Sequence, residues 1–279
     1  MWNTLRVSNP IRAVRVEHLN IVHEDYDATV DHYGRLFGGV VVFDRLQPTW
    51  HACLMDVGGV LFEIFVPNEF FLHTRYGPHY LGVEYHVADI APVRERLADR
   101  GVRIARDLDV AVHSHPADCH GVSLEFFDDS FHDNEDLLDR PMTPAGYWRD
   151  EHPLGFTGLS GYTVAVADLA SALTDFQAVL QHEVLYEQRR HALAATGVGL
   201  IVGGAVLELV APDGDGPLQQ HLRAHGEGIR STVFGVRDLD RARSYFVERG
   251  IEVARGTAPD TFAIPAEHNR GVIFEFAPS

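Results

Sequence analysis

The sequence predicts an α+β protein made of four βαβββ modules, paired two and two into a first and a second domain. Three observations predict it. A strand, an acidic residue and an amphipathic helix recur together four times along the 279 residues. A short apolar strand with one glutamate inside it also recurs four times. The copies fall into two halves with nearly equal internal spacing, as a duplicated pair of modules would.

The strand–helix units are VEHLNIVHEDYDATVDHYGRLFGG, LGVEYHVADIAPVRERLADRG, LSGYTVAVADLASALTDFQAVL and IRSTVFGVRDLDRARSYFVERG. Asp25, Asp89, Asp168 and Asp238 hold the same place in each, where an aspartate caps a helix by accepting backbone N–H bonds. Apolar residues then recur at helical period. Val30, Tyr33 and Phe37 share a face in the first helix, and Ile90, Val93 and Leu97 in the second. Leu169, Leu173, Phe176 and Leu180 do so in the third, and Leu239, Ala242 and Phe246 in the fourth. Gly101 and Gly250 stand where a glycine ends a helix.

The glutamate strands are VLFEIFV, VSLEFF, VLELVAP and VIFEFAP, carrying Glu63, Glu125, Glu208 and Glu275. Between helix and glutamate strand there is room for two more strands: GVVVFD and WHACLMDVG in the first module, VRIARD and VAVHSHP in the second. The first domain is expected over residues 12–128 and the second over 157–279. Residues 129–156, acidic and proline-containing without periodicity, read as a solvated linker. DGDGP at 213–217 reads as a turn.

Composition narrows the function. A hydrophobic share of 46% is enough for two ordinary cores. A net charge of −17 repels phosphate backbones, which argues against nucleic acid and anionic membranes as partners. No apolar run is long enough to span a membrane, and the opening MWNTLRVSNPIRAVRV lacks the apolar stretch of a secretory signal. Two cysteines, Cys53 and Cys119, make no disulfide framework; they fit a reducing cytosol and read as small buried apolar residues. A cytoplasmic protein is therefore expected. No glycine-rich phosphate loop, Ser-His-Asp signature or CxxC pair is present. Seventeen histidines supply many potential metal ligands.

HLNIVHED followed by YGRLFGG, and HPADCHGVSLEF, are phrases similar to the first strand and helix and to the closing hairpin of the vicinal-oxygen-chelate superfamily. That superfamily includes glyoxalases, bleomycin-resistance proteins and extradiol dioxygenases. With the fourfold repeat, the chain resembles it over nearly its whole length. The resemblance implies curved mixed sheets around a pocket, with a divalent metal held by residues from the first and last strands of two modules.

Carried over by position, the first-strand ligand falls on His18, seven residues before Asp25, and the last-strand ligands on Glu63 and Glu125. The fourth position is Gly82, seven before Asp89. In the second half Gly161 and Ser231 stand at the first-strand positions, leaving Glu208 and Glu275 as a degenerate set. Strand alternation puts His18 with Asn20, Glu63 with Leu61 and Phe65, and Glu125 with Ser123 and Phe127. A glutamate among aromatics is costly to bury unless it is paired or coordinated. The missing ligand reads either as an open coordination position or as loss of the metal.

Imidazole with carboxylates suits Fe, Mn, Co, Ni or Zn without choosing among them. Glu63, His86 and His51 are the candidate catalytic acids and bases, with Glu84, His113 and His115 as further candidates. Phe43, Trp50, Phe62, Phe65, Tyr80 and Tyr85 are candidates to wall a small oxygenated organic substrate. The resemblance implies metal-stabilised enolate or oxyanion chemistry of isomerase or lyase type. Its alternatives are extradiol ring cleavage and metal-free small-molecule binding. A monomer or homodimer is expected, since paired halves provide internally what shorter relatives obtain by dimerising.

Overall fold

In the computed structural model, residues 9–48, 50–66 and 77–279 are described; the first eight residues, read above for a leader, lie outside them. The first half runs β1 (Arg15–Val22), α1 (Tyr26–Phe37), β2 (Val40–Leu46), β3 (His51–Val57), β4 (Val60–Val66), β5 (His79–His86), α2 (Ala91–Asp99), β6 (Ile104–Asp107), β7 (Ala111–Ser114) and β8 (Ser123–Phe127). The second half repeats it as β9 (Phe156–Ala165), α3 (Leu169–Val179), β10 (Glu183–Arg190), β11 (Ala195–Val202), β12 (Ala205–Pro212), α4 (Pro217–His225), β13 (Gly228–Val236), α5 (Leu239–Val247), β14 (Ala254–Arg255), β15 (Phe262–Ile264) and β16 (Ile273–Pro278). Each half forms an eight-stranded mixed sheet, ordered β2-β3-β4-β1-β5-β8-β7-β6 and β10-β11-β12-β9-β13-β16-β15-β14. The predicted βαβββ architecture is present in both. Helix α4, between the modules of the second half, is an addition that the turn reading at 213–217 did not foresee.

Local chemistry explains the helix ends. Asp25, Asp168 and Asp238 accept from the backbone N–H of Ala28, Ser171 and Arg241 at the starts of α1, α3 and α5. Asp89 departs from the pattern: its carboxylate takes Ala91 N–H at 2.9 Å, and the helix is capped one residue later, at Ile90, with proline in its first turn. Gly101 and Gly250 sit at positive φ beyond their helices, the conformation that terminates them without a Cβ penalty.

Helix faces and one face of each sheet bury into one apolar core that runs through both halves. Phe37 of α1 packs on Phe246 of α5 and Phe274 of β16, and Phe62 of β4 stacks on Phe274. Polar contacts stitch the same boundary. Tyr85 and Tyr162 join their hydroxyls, and Tyr80 donates to Ile273 O at 2.9 Å. Cys53 and Cys119 are buried and free, their thiols pushed up by burial to about 12 and about 11, so both act as small apolar residues. No helix among the described residues is long and apolar enough to cross a membrane.

The connection between the halves is packed rather than solvated. Ser130, Trp148, His152 and Leu154 are buried. Asp56 accepts from Thr143 N–H at 2.8 Å and from the Trp148 indole at 3.3 Å. Charged side chains such as Asp133, Asp136 and Asp139 point outward, and this outer face is what composition alone reveals.

Burial holds His152 at about 4 and His23 at about 3, both below the ordinary 6.5. Both rings are neutral in the folded protein, while the unfolded chain takes up protons below 6.5. The stability they contribute is complete above pH 6.5 and is lost as pH falls toward 4. His152→Phe is expected to flatten that loss by on the order of 2 kcal/mol at pH 4, read as urea midpoints against pH.

Candidate metal centre

The site is built on the register of five neighbouring strands. β1 pairs with β4 in parallel and with β5 antiparallel; β8 lies parallel beyond β5, and β7 antiparallel beyond β8. Directly paired residues share a face of the sheet. His18 pairs with Glu84, Asn20 with Glu63, Glu84 with Glu125, and His113 with Glu125. These six side chains therefore converge on one side. The register also shows why Gly82 corresponds to His18: each lies opposite the residue two before its module's glutamate, Leu61 and Ser123.

His18 Nε2 lies 3.2 Å from Glu63 Oε2 and 4.0 Å from Glu125 Oε2. One ligand atom from each of the three residues falls within 4.8 Å of the others. On the far side of the ring, His18 Nδ1 lies 3.1 Å from Glu84 Oε1. His18 is 2% exposed, yet neither ring nitrogen is aligned for a hydrogen bond. Groups this close and unaligned point at a shared centre rather than at each other. Glu125 is held from both sides: Asn20 Nδ2 donates to Oε2 at 3.0 Å, and His113 Nε2 lies 2.9 Å from Oε1.

The charges are strongly coupled. Burial would lower the His18 pKa, but the carboxylates of Glu84 and Glu63 outweigh it and raise the value well above the ordinary one. Burial, with the neighbouring Glu125, raises Glu84 well above the carboxylate range despite His18. Glu125 is also penalised by burial, yet His113 and His18 pull it below that range.

Beside Glu17 the sheet carries an extra residue: Val16 pairs with Tyr85 and His18 with Glu84, so Glu17 is bulged out of register. Its carboxylate accepts from Ser130 Oγ and from Phe131 N–H, both at 2.9 Å, and its carbonyl contacts His132 Nε2 at 3.1 Å. The bulge thereby ties the start of the connecting segment across the site. Phe131 packs against His18 and Phe127, with ring centroids 6.0 and 5.2 Å apart. It joins Leu138, Met142 and Phe43 over Val42, Leu54 and Leu61 as one wall.

Residues 158–263 match the family model of the Glyoxalase/Bleomycin resistance protein/Dioxygenase superfamily. No curated protein sequence matches the chain. Among solved structures, a mutant of 4-hydroxymandelate synthase from Streptomyces coelicolor is similar over both halves: 13% identity, covering 96% of this chain and 93% of that one, with a TM-score of 0.74. LapB, a 2,3-dioxygenase from Pseudomonas sp. KL28, is 13% identical over 97% of this chain and 94% of its own, with a TM-score of 0.62. The family match thus lies within the second half, and the first half repeats its architecture. At such identities the likeness to the solved structures is one of fold.

Within the first half, the residues singled out from the sequence divide by face. His18, Glu63 and Glu125 meet, with Glu84 and His113 directly behind them. His86 follows Glu84 on the same face, opposite Arg15, and its Nδ1 is buried without a partner among the described residues. His51 is a correction. It pairs with Val66, on the opposite face from Glu63, where it stacks on Tyr26 at 3.7 Å and bonds Asp44 at 2.7 Å. One residue of strand parity removes it from the site. His115 turns away to accept Ala117 N–H in a short helical turn. Of the aromatics, Phe43, Trp50 and Phe65 lie on the site face, while Phe62, Tyr80 and Tyr85 belong to the core between the halves. Asn20 lies on the face of His18 as strand alternation predicts, whereas Glu17 and Phe131 carry no sequence signal, since nothing local marks a bulge or a strap.

The second half meets the same burial problem with guanidinium groups. Arg190 pairs with Glu208 at 2.5 Å, and Arg230 with Glu275 at 3.0 Å. Glu275 also accepts from Ser231 Oγ, Thr257 Oγ1 and Thr257 N–H. Arg230 occupies the bulge of β13 that Leu81 occupies in β5, so a guanidinium enters where the first half has an apolar side chain.

A Cβ at Gly82 would lie 2.0 Å from Ser123 O, so Gly82→Ala is expected to cost about 2–3 kcal/mol in urea unfolding. Glu17→Ala removes both anchors of the strap; it should destabilise the fold by about 2–3 kcal/mol and speed proteolysis within residues 128–142 several-fold.

Proposed function

We propose that this protein is a metal-dependent enzyme acting on a small oxygenated organic molecule, with one divalent ion held by His18, Glu63 and Glu125. The observation that carries the reading is the convergence of a buried imidazole and two carboxylates whose nearest atoms face one another without hydrogen-bond alignment. The donor set fits: three carboxylates crowd one histidine there, and a cation relieves a cluster that is otherwise costly to bury. The set accommodates Fe, Mn, Co, Ni or Zn. When bound, such an ion supplies Lewis-acid polarisation of substrate oxygens.

The chain's own residues do the rest. Glu84 stands behind His18 Nδ1 and fixes the ring so that Nε2 faces Glu63 and Glu125. Gly82 offers no side chain where a fourth ligand would come from, which leaves that quarter to substrate. Phe131, Phe43, Leu54 and Leu61 shield the site from water and favour a substrate with an apolar body. Glu63, the most exposed of the three at 19% of its side chain, meets the incoming molecule and is placed to move a proton.

Isomerase or lyase chemistry follows from proton transfer beside a polarised oxygen pair. Ring cleavage is the second reading, favoured by the whole-chain likeness to structures that include a 2,3-dioxygenase. Against it, the centre offers one histidine and two carboxylates, whereas the usual oxygenase triad has two histidines and one.

Elemental analysis of purified protein is expected to find close to one metal per chain, lost in His18→Ala and in Glu125→Ala with the fold intact by circular dichroism. Glu84→Gln is expected to weaken the metal 10- to 100-fold. A wild-type chain that takes up none of the five metals overturns the reading. Aerobic conversion of catechol to a yellow product decides for ring cleavage over isomerisation.

A further inference from the structure

Helix α4 carries a pair of histidines that belongs to neither sheet's cup. HLRAH closes the helix, so His221 and His225 stand one turn apart on the same face. Their ring centroids are 4.8 Å apart, and the planes are tilted by 45° rather than stacked. The backbone beneath them is anchored. Leu218 is fully buried, and Leu222 packs beside it against Leu193, Ala195 and Val210. His221 is half-buried and His225 exposed. Gly226, at positive φ, ends the helix with its N–H on Leu222 O at 2.8 Å. Two imidazoles thus reach solvent from a fixed turn, at the spacing by which a helix chelates zinc through two histidines.

The surroundings favour a cation. The carboxyl end of a helix carries the negative end of its dipole. The whole protein has a net charge of −17. Arg223, the guanidinium of that last turn, is matched by Asp215 at 3.0 Å. His225 also lines an open crevice of about 540 Å³, into which the turn between β15 and β16 brings Glu267 and His268. Arg270, on the same turn, leans on Asp25 at 3.9 Å.

We propose that His221 and His225 form a second metal site, on the surface of the second half, that takes a divalent copper, nickel or zinc ion. Imidazole donors suit these ions, whereas magnesium, calcium and manganese prefer oxygen, and the usual affinity order puts copper first. The site is independent of the centre in the first half and differs from it in kind. There one imidazole meets two carboxylates in a buried cup, and here two imidazoles meet at the surface.

Cu(II) is the probe, titrated into the full chain carrying His18→Ala, which disables the first centre. Electron paramagnetic resonance with electron spin-echo modulation then reads the bound copper and counts its imidazoles. One saturable equivalent held by two imidazoles is expected. His221→Ala and His225→Ala, each added singly, should leave one imidazole and weaken Cu(II) about 10- to 100-fold, since each removes one arm of a chelate. Neither side chain belongs to the core, so circular dichroism should match the parent. Absence of saturable Cu(II) binding, or an imidazole count and affinity that stay at the parent's values in either variant, overturns the inference.

Discussion

The pairing of β1 with β4 on one side and β5 on the other is the constraint on which the site depends. Because paired residues share a face, three strands bring His18, Glu63 and Glu84 together, and β8 adds Glu125. A one-residue slip in any strand would move its ligand into the core between the halves. The apolar phase of the same strands prevents that slip: Leu19, Ile21, Phe62, Ile64, Val83 and Tyr85 are all buried on the other face. Core packing and ligand placement are two sides of one register.

The duplicated halves show one backbone meeting one electrostatic problem in two ways. Both bury glutamates on the last strands of their modules. The first half surrounds them with a histidine whose nitrogens point inward, and the second inserts Arg190 and Arg230. A guanidinium neutralises a carboxylate permanently and with several donors, so it closes a site to a cation. The β13 bulge that brings in Arg230 matches the β5 bulge at Leu81, so around Glu275 the difference comes from one side chain at a shared irregularity, while Arg190 acts at Glu208.

The connecting segment belongs to the site as much as to the link between halves. Glu17, pushed out by its own bulge, takes hold of Ser130 and Phe131, and the chain then lies across the cup with apolar side chains inward and acidic ones outward. The acidic face dominates the composition. That is why the segment reads as a solvated linker until the few apolar residues are seen to have a common target.

The amino-acid sequence by itself determined the repeat, the helix faces and the recurrence of a glutamate strand in each module, because these rest on local periodicity and capping chemistry. It reached His18, Glu63 and Glu125 through the spacing of those units and through a family resemblance. Only the tertiary structure decided which way each remaining side chain points. His51 lay one residue out of phase, Glu84 came to stand behind His18, and Arg190 and Arg230 closed on Glu208 and Glu275. Sheet register, bulges and contacts between distant segments set those directions, and none of them is encoded in any short stretch of sequence.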